Sequence, residues 1–145
     1  MSWKIAAVIL AAALAGCSTS GVVGQAPPAH SFAQAQPQRA MSAAIVDAMG
    51  GGLVGGRLGA ALDTSERRRA LEAEYRALEY TPAGQTVSWG RKGASTQGAV
   101  VAGSPYRVGS QNCRQYTHTV QAAGRSQTAR GTACRNADGS WTPLA

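Results

Sequence analysis

The feature that most constrains the fold is a change of pattern at Gln85. From there to the end, short runs rich in Val, Thr, Tyr and Trp are separated by Gly, Ser and Asn. Alternation with a period of two is typical of half-buried β-strands. The runs are QTVSW, GAVV, PYRV, CRQYTHTV, QTARGTACR and SWTPL. We therefore predict a β domain over residues 83–145, either an antiparallel sheet or a small open barrel, whose core candidates are Trp89, Tyr106, Tyr116 and Trp141.

Two cysteines can crosslink this segment. If residues 123–124 form a two-residue hairpin turn, Ala122 faces Arg125 and Cys113 faces Cys134 in a closely spaced, non-hydrogen-bonded pair. A four-residue loop, residues 122–125, would keep the same facing residues but would make the cysteine pair a hydrogen-bonded one. A disulfide across a loop of this length contributes about 3 kcal/mol. Such a crosslink suits a β segment whose core is marginal for its size.

The stretch before the β domain, residues 63–82, carries a helical pattern. Asp63 and Glu66 have the spacing of a capping box, and Pro82 ends the helix. The apolar face consists of Leu71, Tyr75 and Leu78. A single helix followed by an antiparallel sheet predicts an α+β fold.

Residues 41–62 are rich in glycine. Gly51, Gly55 and Gly59 recur at every fourth residue, so a helix here would present a flat face suited to close packing and self-association. Only nine uncharged residues separate Asp47 from Arg57, about 14 Å of helix against about 30 Å of hydrocarbon. We expect a membrane-associated or self-packing glycine-zipper segment rather than a transmembrane helix. A flexible linker is the alternative, because each glycine costs about 1 kcal/mol in a helix interior.

The N-terminus has the layout of an export signal. Lys4 precedes an aliphatic run over residues 5–15, which is too short to span a bilayer comfortably. The run ends in Leu-Ala-Gly followed by Cys17, which resembles a bacterial lipobox. That resemblance implies a signal peptide of residues 1–16 and lipidation of Cys17. A cleaved signal with an incidental cysteine is the alternative.

Residues 17–40 are then a lipidated, flexible tether. They contain three prolines, several Gln and Ala, and almost no charge. Such a composition offers too little apolar surface to offset the entropy of ordering.

Positive charge is concentrated in the β domain. The formal net charge is +7, and from Gln85 onward seven basic residues stand against Asp138 alone. A basic surface attracts anionic partners, which in the envelope are peptidoglycan or lipopolysaccharide, whereas the export signal argues against nucleic acid. The expected surface comprises Arg91, Lys92, Arg107, Arg114, Arg125, Arg130 and Arg135.

Residues suited to catalysis are scarce. A nucleophile, base and orienting group would require His118, Asp138 and a cysteine to converge, and nothing in their spacing predicts this. We interpret His118 as an ordinary polar residue on a strand. No paired His or Cys motif indicates a metal site, and no glycine pattern indicates a cofactor. The chain is therefore predicted not to be an enzyme, and no cofactor is expected.

Several motifs together resemble the 17-kDa surface antigen family, the rickettsial-type outer-membrane lipoproteins. These motifs are the lipobox, the glycine segment and, in the last third, C-R-Q-Y-T at 113–117, G-T-A-C-R at 131–135 and D-G-S-W at 138–141. The glycine segment is shorter than is usual in that family, and Gly90-Arg91 follows Trp89 where members often carry an Asn-Pro-like turn. The resemblance implies a lipid-anchored outer-membrane location and antigenicity, and it implies no catalytic residues.

The leading functional hypothesis is a non-enzymatic outer-membrane lipoprotein with a structural or interaction role in the envelope. The alternatives are a periplasmic or surface inhibitor of a hydrolase and a binding module for anionic envelope polymer. Charge disfavours inhibition of lysozymes, which are generally basic and would be repelled by the basic segment.

Overall fold

The computed structural model describes residues 43–144. The predicted signal peptide, Cys17 and the tether lie outside this range. Residues 43–48 are helical (α1), and two 3₁₀ turns follow at Leu53–Gly55 and Arg57–Gly59. The main helix, α2, and the strands are Thr64–Glu79 (α2), Thr86–Trp89 (β1), Gln97–Ala102 (β2), Tyr106–Val108 (β3), Gln111–Ala122 (β4), Arg125–Arg135 (β5) and Trp141–Leu144 (β6).

The strands form one open antiparallel sheet in the order β1-β2-β4-β5-β6. β3 also pairs with β4, so β2 and β3 lie one after the other along the same side of that strand. Each predicted run lies on a strand, and the α+β fold class is confirmed. Of the two predicted forms, the open sheet is the one observed.

The predicted hairpin is present with its register. Ala122 pairs with Arg125, and Cys113 pairs with Cys134, to which it is disulfide-bonded with the Cα atoms 4.0 Å apart. The turn residues 123–124 both have positive φ, 50° and 73°, as a two-residue turn compatible with strand twist requires.

α2 begins and ends as its sequence predicts. The Asp63 carboxylate accepts from the Glu66 N–H at 2.7 Å, and the Glu66 carboxylate accepts from the Asp63 N–H at 3.0 Å. The helix ends at Glu79, before Pro82. Its buried face packs against one side of the sheet, with the apolar contacts made by Ala70, Leu71, Ala73, Ala77 and Leu78.

Three of the four predicted aromatic core residues are buried, and Tyr106 is not. Trp89, Tyr116 and Trp141 lie in the core, whereas Tyr106 is 40% exposed. Tyr106 pairs with Cys113, which lies three residues before Tyr116 on β4, an odd-numbered offset. Alternate residues point to opposite faces, so Tyr106 lies on the face that α2 does not cover.

The expected glycine-zipper helix is not formed over the described residues. α1 stops at residue 48, and Gly50, Gly51 and Gly52 then take φ values of 54°, 88° and 53°, which a right-handed helix excludes. The linker alternative does not describe this stretch either, because its apolar side chains enter the core shared by α2 and the sheet. Those side chains are Met49, Val54, Leu58 and Leu62. No helix between residues 43 and 144 has the length and apolar character needed to cross a bilayer.

Candidate functional site

A buried polar network links α2 to the sheet and to the first 3₁₀ turn. Glu74 is fully buried in the middle of α2. One carboxylate oxygen, Oε2, accepts from the Leu53 N–H at 3.0 Å and from the Tyr116 hydroxyl at 3.3 Å. The other, Oε1, lies 2.6 Å from Nδ1 of His118 on β4. Hydrogen bonds at both oxygens offset the cost of burying the carboxylate.

The same network defines the protonation of His118. The Trp89 indole N–H donates to His118 Nε2 at 2.8 Å, and an indole nitrogen can only donate. Nε2 is therefore the acceptor, so the ring proton is on Nδ1 and is donated to Glu74. Burial and the neighbouring Glu74 carboxylate raise the pKa of Tyr116, which keeps its hydroxyl protonated as a donor.

This Glu–His pair is not arranged for catalysis. Both side chains are inaccessible to solvent. Nε2, the nitrogen that would serve as a general base, is already engaged by Trp89. His118 does lie on a strand, but it is a buried structural residue rather than an ordinary polar one.

Glu74 is not among the residues predicted from the sequence to have a role. The available signal was its position on the apolar face of α2, three residues after Leu71 and four before Leu78. A carboxylate on such a face requires buried donors, and the sequence does not show where those donors come from.

Arg114 does not belong to the predicted basic surface. It is 6% exposed, and its guanidinium lies at the C-terminal end of α2. Nη1 donates to the carbonyls of Ala77, Leu78 and Thr81 at 3.0, 2.6 and 3.1 Å, and Nε donates to the Gly103 carbonyl at 2.8 Å. The last carbonyls of a helix lack partners within it and carry partial negative charge, so they favour a cation. Burial lowers the pKa of Arg114 below its usual range.

Arg135 is likewise not available as an uncompensated charge. Its guanidinium donates to both oxygens of Glu79, with Nε 2.8 Å from Oε2 and Nη2 2.8 Å from Oε1. The Trp141 indole N–H donates to the same carboxylate at 2.9 Å. The hydrogen bond from Arg135 lowers the pKa of Glu79, desolvation opposes this shift, and Trp141 reinforces it.

The five remaining basic residues are exposed but do not share one face. Arg91 and Lys92 lie in the β1–β2 connection, near the turn that carries Arg125. Arg107 is on β3, towards the other end of the sheet, and Arg130 is on β5. The predicted basic surface is therefore reduced to five residues, which are spread over the β1–β2 connection, β3 and β5.

A groove of about 1050 Å³ lies between α1, α2 and the turn before β6. Tyr75 and Tyr80 form one wall, with ring centroids 5.9 Å apart in an edge-to-face arrangement. Asp138 lies on the opposite turn, where it accepts from the Ser140 N–H and hydroxyl, and these hydrogen bonds lower its pKa. No set of three or more metal-ligating side chains is clustered within residues 43–144.

The motif residues from 113 onward thus have structural roles. Cys113 and Cys134 form the crosslink, Arg114 caps α2, Tyr116 binds Glu74, and Arg135 pairs with Glu79. In the last motif, Gly139 takes a φ of 86° that the turn before β6 requires, and Trp141 is buried. The residues define a small, disulfide-crosslinked α+β domain in which one helix is fastened to one face of a sheet.

This class of domain has known relatives. Residues 76–142 match the family model for the 17 kDa outer membrane surface antigen. Through this domain the chain is similar to the 17 kDa surface antigen family. The 17 kDa surface antigen of Rickettsia bellii is 40% identical over 86 residues, which cover 59% of this chain and 54% of the relative. That of Rickettsia felis is 42% identical over 81 residues, covering 55% and 51%. The chain therefore spans about half the length of the curated relatives it matches. No solved structure matches it at a significant level.

Proposed function

We propose that this chain is a non-enzymatic lipoprotein of the outer membrane with a structural or interaction role in the envelope. The observation that carries the proposal is that the residues of the family motifs have structural roles. Their cysteines, arginines and aromatic residues hold the helix to the sheet, and the only histidine in the described range is enclosed with both ring nitrogens engaged. A domain whose distinctive residues maintain its shape is suited to presenting a surface.

The envelope location is supported by two independent features. Residues 1–17 resemble a lipobox signal. The crosslink between Cys113 and Cys134 is of the kind that forms and persists in oxidising compartments such as the periplasm. The family description names an outer membrane surface antigen, which agrees with both. Two or more acyl chains at Cys17 would anchor the chain without a transmembrane helix.

Mass spectrometry of the intact protein from bacterial membranes tests the anchor. We expect a mature chain that begins at Cys17 and carries the mass of three acyl chains, and Cys113 and Cys134 should resist thiol labelling until reduction. Cys17→Ala should abolish the added mass and release the protein from membranes, whereas Ser18→Ala, the matched control, should leave both unchanged. An unmodified parent chain in the soluble fraction, with reactive thiols, would overturn the proposal.

The five exposed basic residues support a more specific role in binding anionic envelope polymer. No carboxylate lies within 4.0 Å of any of them among the described residues. Sedimentation with purified peptidoglycan, or capture on immobilised lipopolysaccharide, should therefore weaken as salt is raised, because exposed charges are screened. The double variant Arg91→Glu and Lys92→Glu should bind less than the parent. Binding that neither salt nor this charge reversal changes would contradict the electrostatic role.

A further inference from the structure

Within residues 43–144, the outer edges of the sheet are short or carry a proline, except along part of β5. β1 and β3 are short, and β6 carries Pro143. Shortness and proline are two devices by which natural sheets prevent further strands from adding to their edges. β5 is longer than β6, and the last residue it shares with that strand is Thr132, opposite Leu144. Residues 125–131 of β5 thus have no neighbouring strand on the side away from β4 within residues 43–144.

The register shows which backbone groups face this open side. Cys113 and Cys134 form a closely spaced, non-hydrogen-bonded pair, so the odd-numbered residues of β5 exchange hydrogen bonds with β4. The hydrogen bond from the Gly103 N–H to the Gln115 carbonyl, on the other side of β4, agrees with this parity. The even-numbered residues Ser126, Thr128 and Arg130 therefore direct their N–H and C=O groups outwards. No backbone hydrogen bond reaches them from elsewhere in residues 43–144.

The surroundings of this open edge are exposed and basic. Ser126, Thr128 and Arg130 are all exposed. Arg125 begins the strand, and the 3₁₀ turn that contains Arg57 packs against β5. None of the three arginines has a carboxylate within 4.0 Å among the described residues. A second copy of this chain, pairing β5 with β5, would bring these positive side chains together without compensation.

We propose that residues 125–131 of β5 form a docking site for an extended acidic peptide segment of a partner protein, which adds to the sheet as a further strand. Backbone groups of Ser126, Thr128 and Arg130 supply the hydrogen bonds, and the arginines select acidic side chains. This is strand addition, a mode in which main-chain bonds provide affinity and side chains provide specificity. The site does not depend on lipidation or on polymer binding, so it can fail or succeed independently of the function proposed above.

The first test leaves the protein unchanged and alters the probe. Full-length protein in detergent is titrated against a fluorescent peptide of alternating valine and glutamate, followed by anisotropy. The same peptide with alternate backbone nitrogens methylated should bind at least about tenfold more weakly, because methylation removes donors but keeps the charge. A peptide with lysine in place of glutamate should not bind. Equal binding of the methylated and unmethylated peptides would overturn the proposal, since charge alone would then explain it.

Two variants locate the site. Thr128→Pro removes an outward N–H and should weaken binding at least about tenfold, while Ser88→Pro makes the same change at an outward position on β1 and should leave binding unchanged. Arg130→Glu should weaken binding of the glutamate peptide and allow binding of the lysine peptide. Arg91→Glu should change the binding of neither peptide.

Amide hydrogen exchange on the bound parent supplies a readout that does not depend on variant folding. Protection is expected at Ser126, Thr128 and Arg130. Protection confined to another part of the chain, or concentration-dependent dimerisation through β5 without peptide, would refute the assignment. The assignment would also be refuted if an anionic polysaccharide displaced the peptide equally well from the parent and from the Thr128→Pro variant.

Discussion

His118 and Glu74 are in contact across the helix–sheet interface, with Nδ1 2.6 Å from Oε1 and neither side chain exposed to solvent. The pair is closed on both sides. Trp89 occupies the other histidine nitrogen, and Leu53 and Tyr116 occupy the other carboxylate oxygen. One residue of α2 thus joins β1, β4 and the 3₁₀ turn in a single hydrogen-bonded set.

Removing one member of this set should destabilise the domain strongly. Glu74→Ala leaves buried donors unpaired, and we expect a loss of about 3 kcal/mol or more in the free energy of unfolding. Tyr116→Phe removes one hydrogen bond of 3.3 Å and should cost about 1 kcal/mol. Denaturant unfolding followed by tryptophan fluorescence measures both. Equal losses for the two variants would contradict a network centred on Glu74.

Arg114→Ala should be among the most damaging changes at any basic residue. The substitution leaves the carbonyls at the end of α2 buried without donors, and we expect a loss of about 2 to 4 kcal/mol. Arg114→Lys should recover only part of this, because an ammonium cannot reproduce the planar fork. Arg107→Ala, at an exposed position, is the control and should change stability by less than about 0.5 kcal/mol. If Arg114→Ala left the free energy of unfolding unchanged, the buried capping role of Arg114 would be wrong.

Gly59 and Gly55 distinguish the observed turns from a glycine zipper. A Cβ atom at Gly59 would collide with the backbone of Val54, whereas nothing lies within 4 Å of a Cβ placed at Gly55. Gly59→Ala should therefore lower the melting temperature by several degrees, while Gly55→Ala should be tolerated. In a zipper both positions would lie on the packed face, and both substitutions would disrupt association. Parallel melting and sedimentation measurements separate these outcomes.

Ala123→Asn should stabilise the hairpin. Ala123 has a φ of 50°, a left-handed conformation that costs about 1 kcal/mol for a residue with a Cβ and less for Asn. The substitution creates the Asn-Gly sequence favoured in two-residue hairpin turns, and we expect a gain of about 0.5 to 1 kcal/mol. Ala137→Asn, in an exposed turn where φ is not positive, is the control and should give no comparable gain. A destabilised Ala123→Asn variant would argue against this turn geometry.

Stability should fall in acid partly because of Glu79. Its pKa is lowered from 4.5 in the folded state, so its contribution is fully present above about pH 4.5 and is lost as pH falls through the folded pKa. The hydrogen bonds at Asp63 and Asp138 lower the pKa of each carboxyl and act in the same direction. Glu79→Gln should reduce stability at neutral pH and flatten the acid limb of a stability–pH curve. An acid limb identical to that of the parent would show that Glu79 is not responsible.

Local sequence alone predicted the helix, the six strands and the hairpin register. Capping residues, period-two alternation and a two-residue turn are short-range signals, and the pairing of Cys113 with Cys134 follows from the turn by counting along two strands. The family motifs were also recognisable. Their residues hold this fold together through the disulfide, the Arg114 hydrogen bonds and the Glu79–Arg135 ion pair.

The burial of the charged residues and the conformation of the glycine-rich segment are determined only by the tertiary structure. Arg114, Glu74 and His118 are polar residues, and the sequence does not show that they are buried. Their burial depends on partners up to 44 residues away, which spacing along the chain does not reveal. The glycines at 50–52 are compatible with a helix face until positive φ values turn the chain into the core. Long-range packing chose between these outcomes, because the free energy of satisfying a buried polar group, or of burying Val54 and Leu58, exists only once the sheet and α2 have come together.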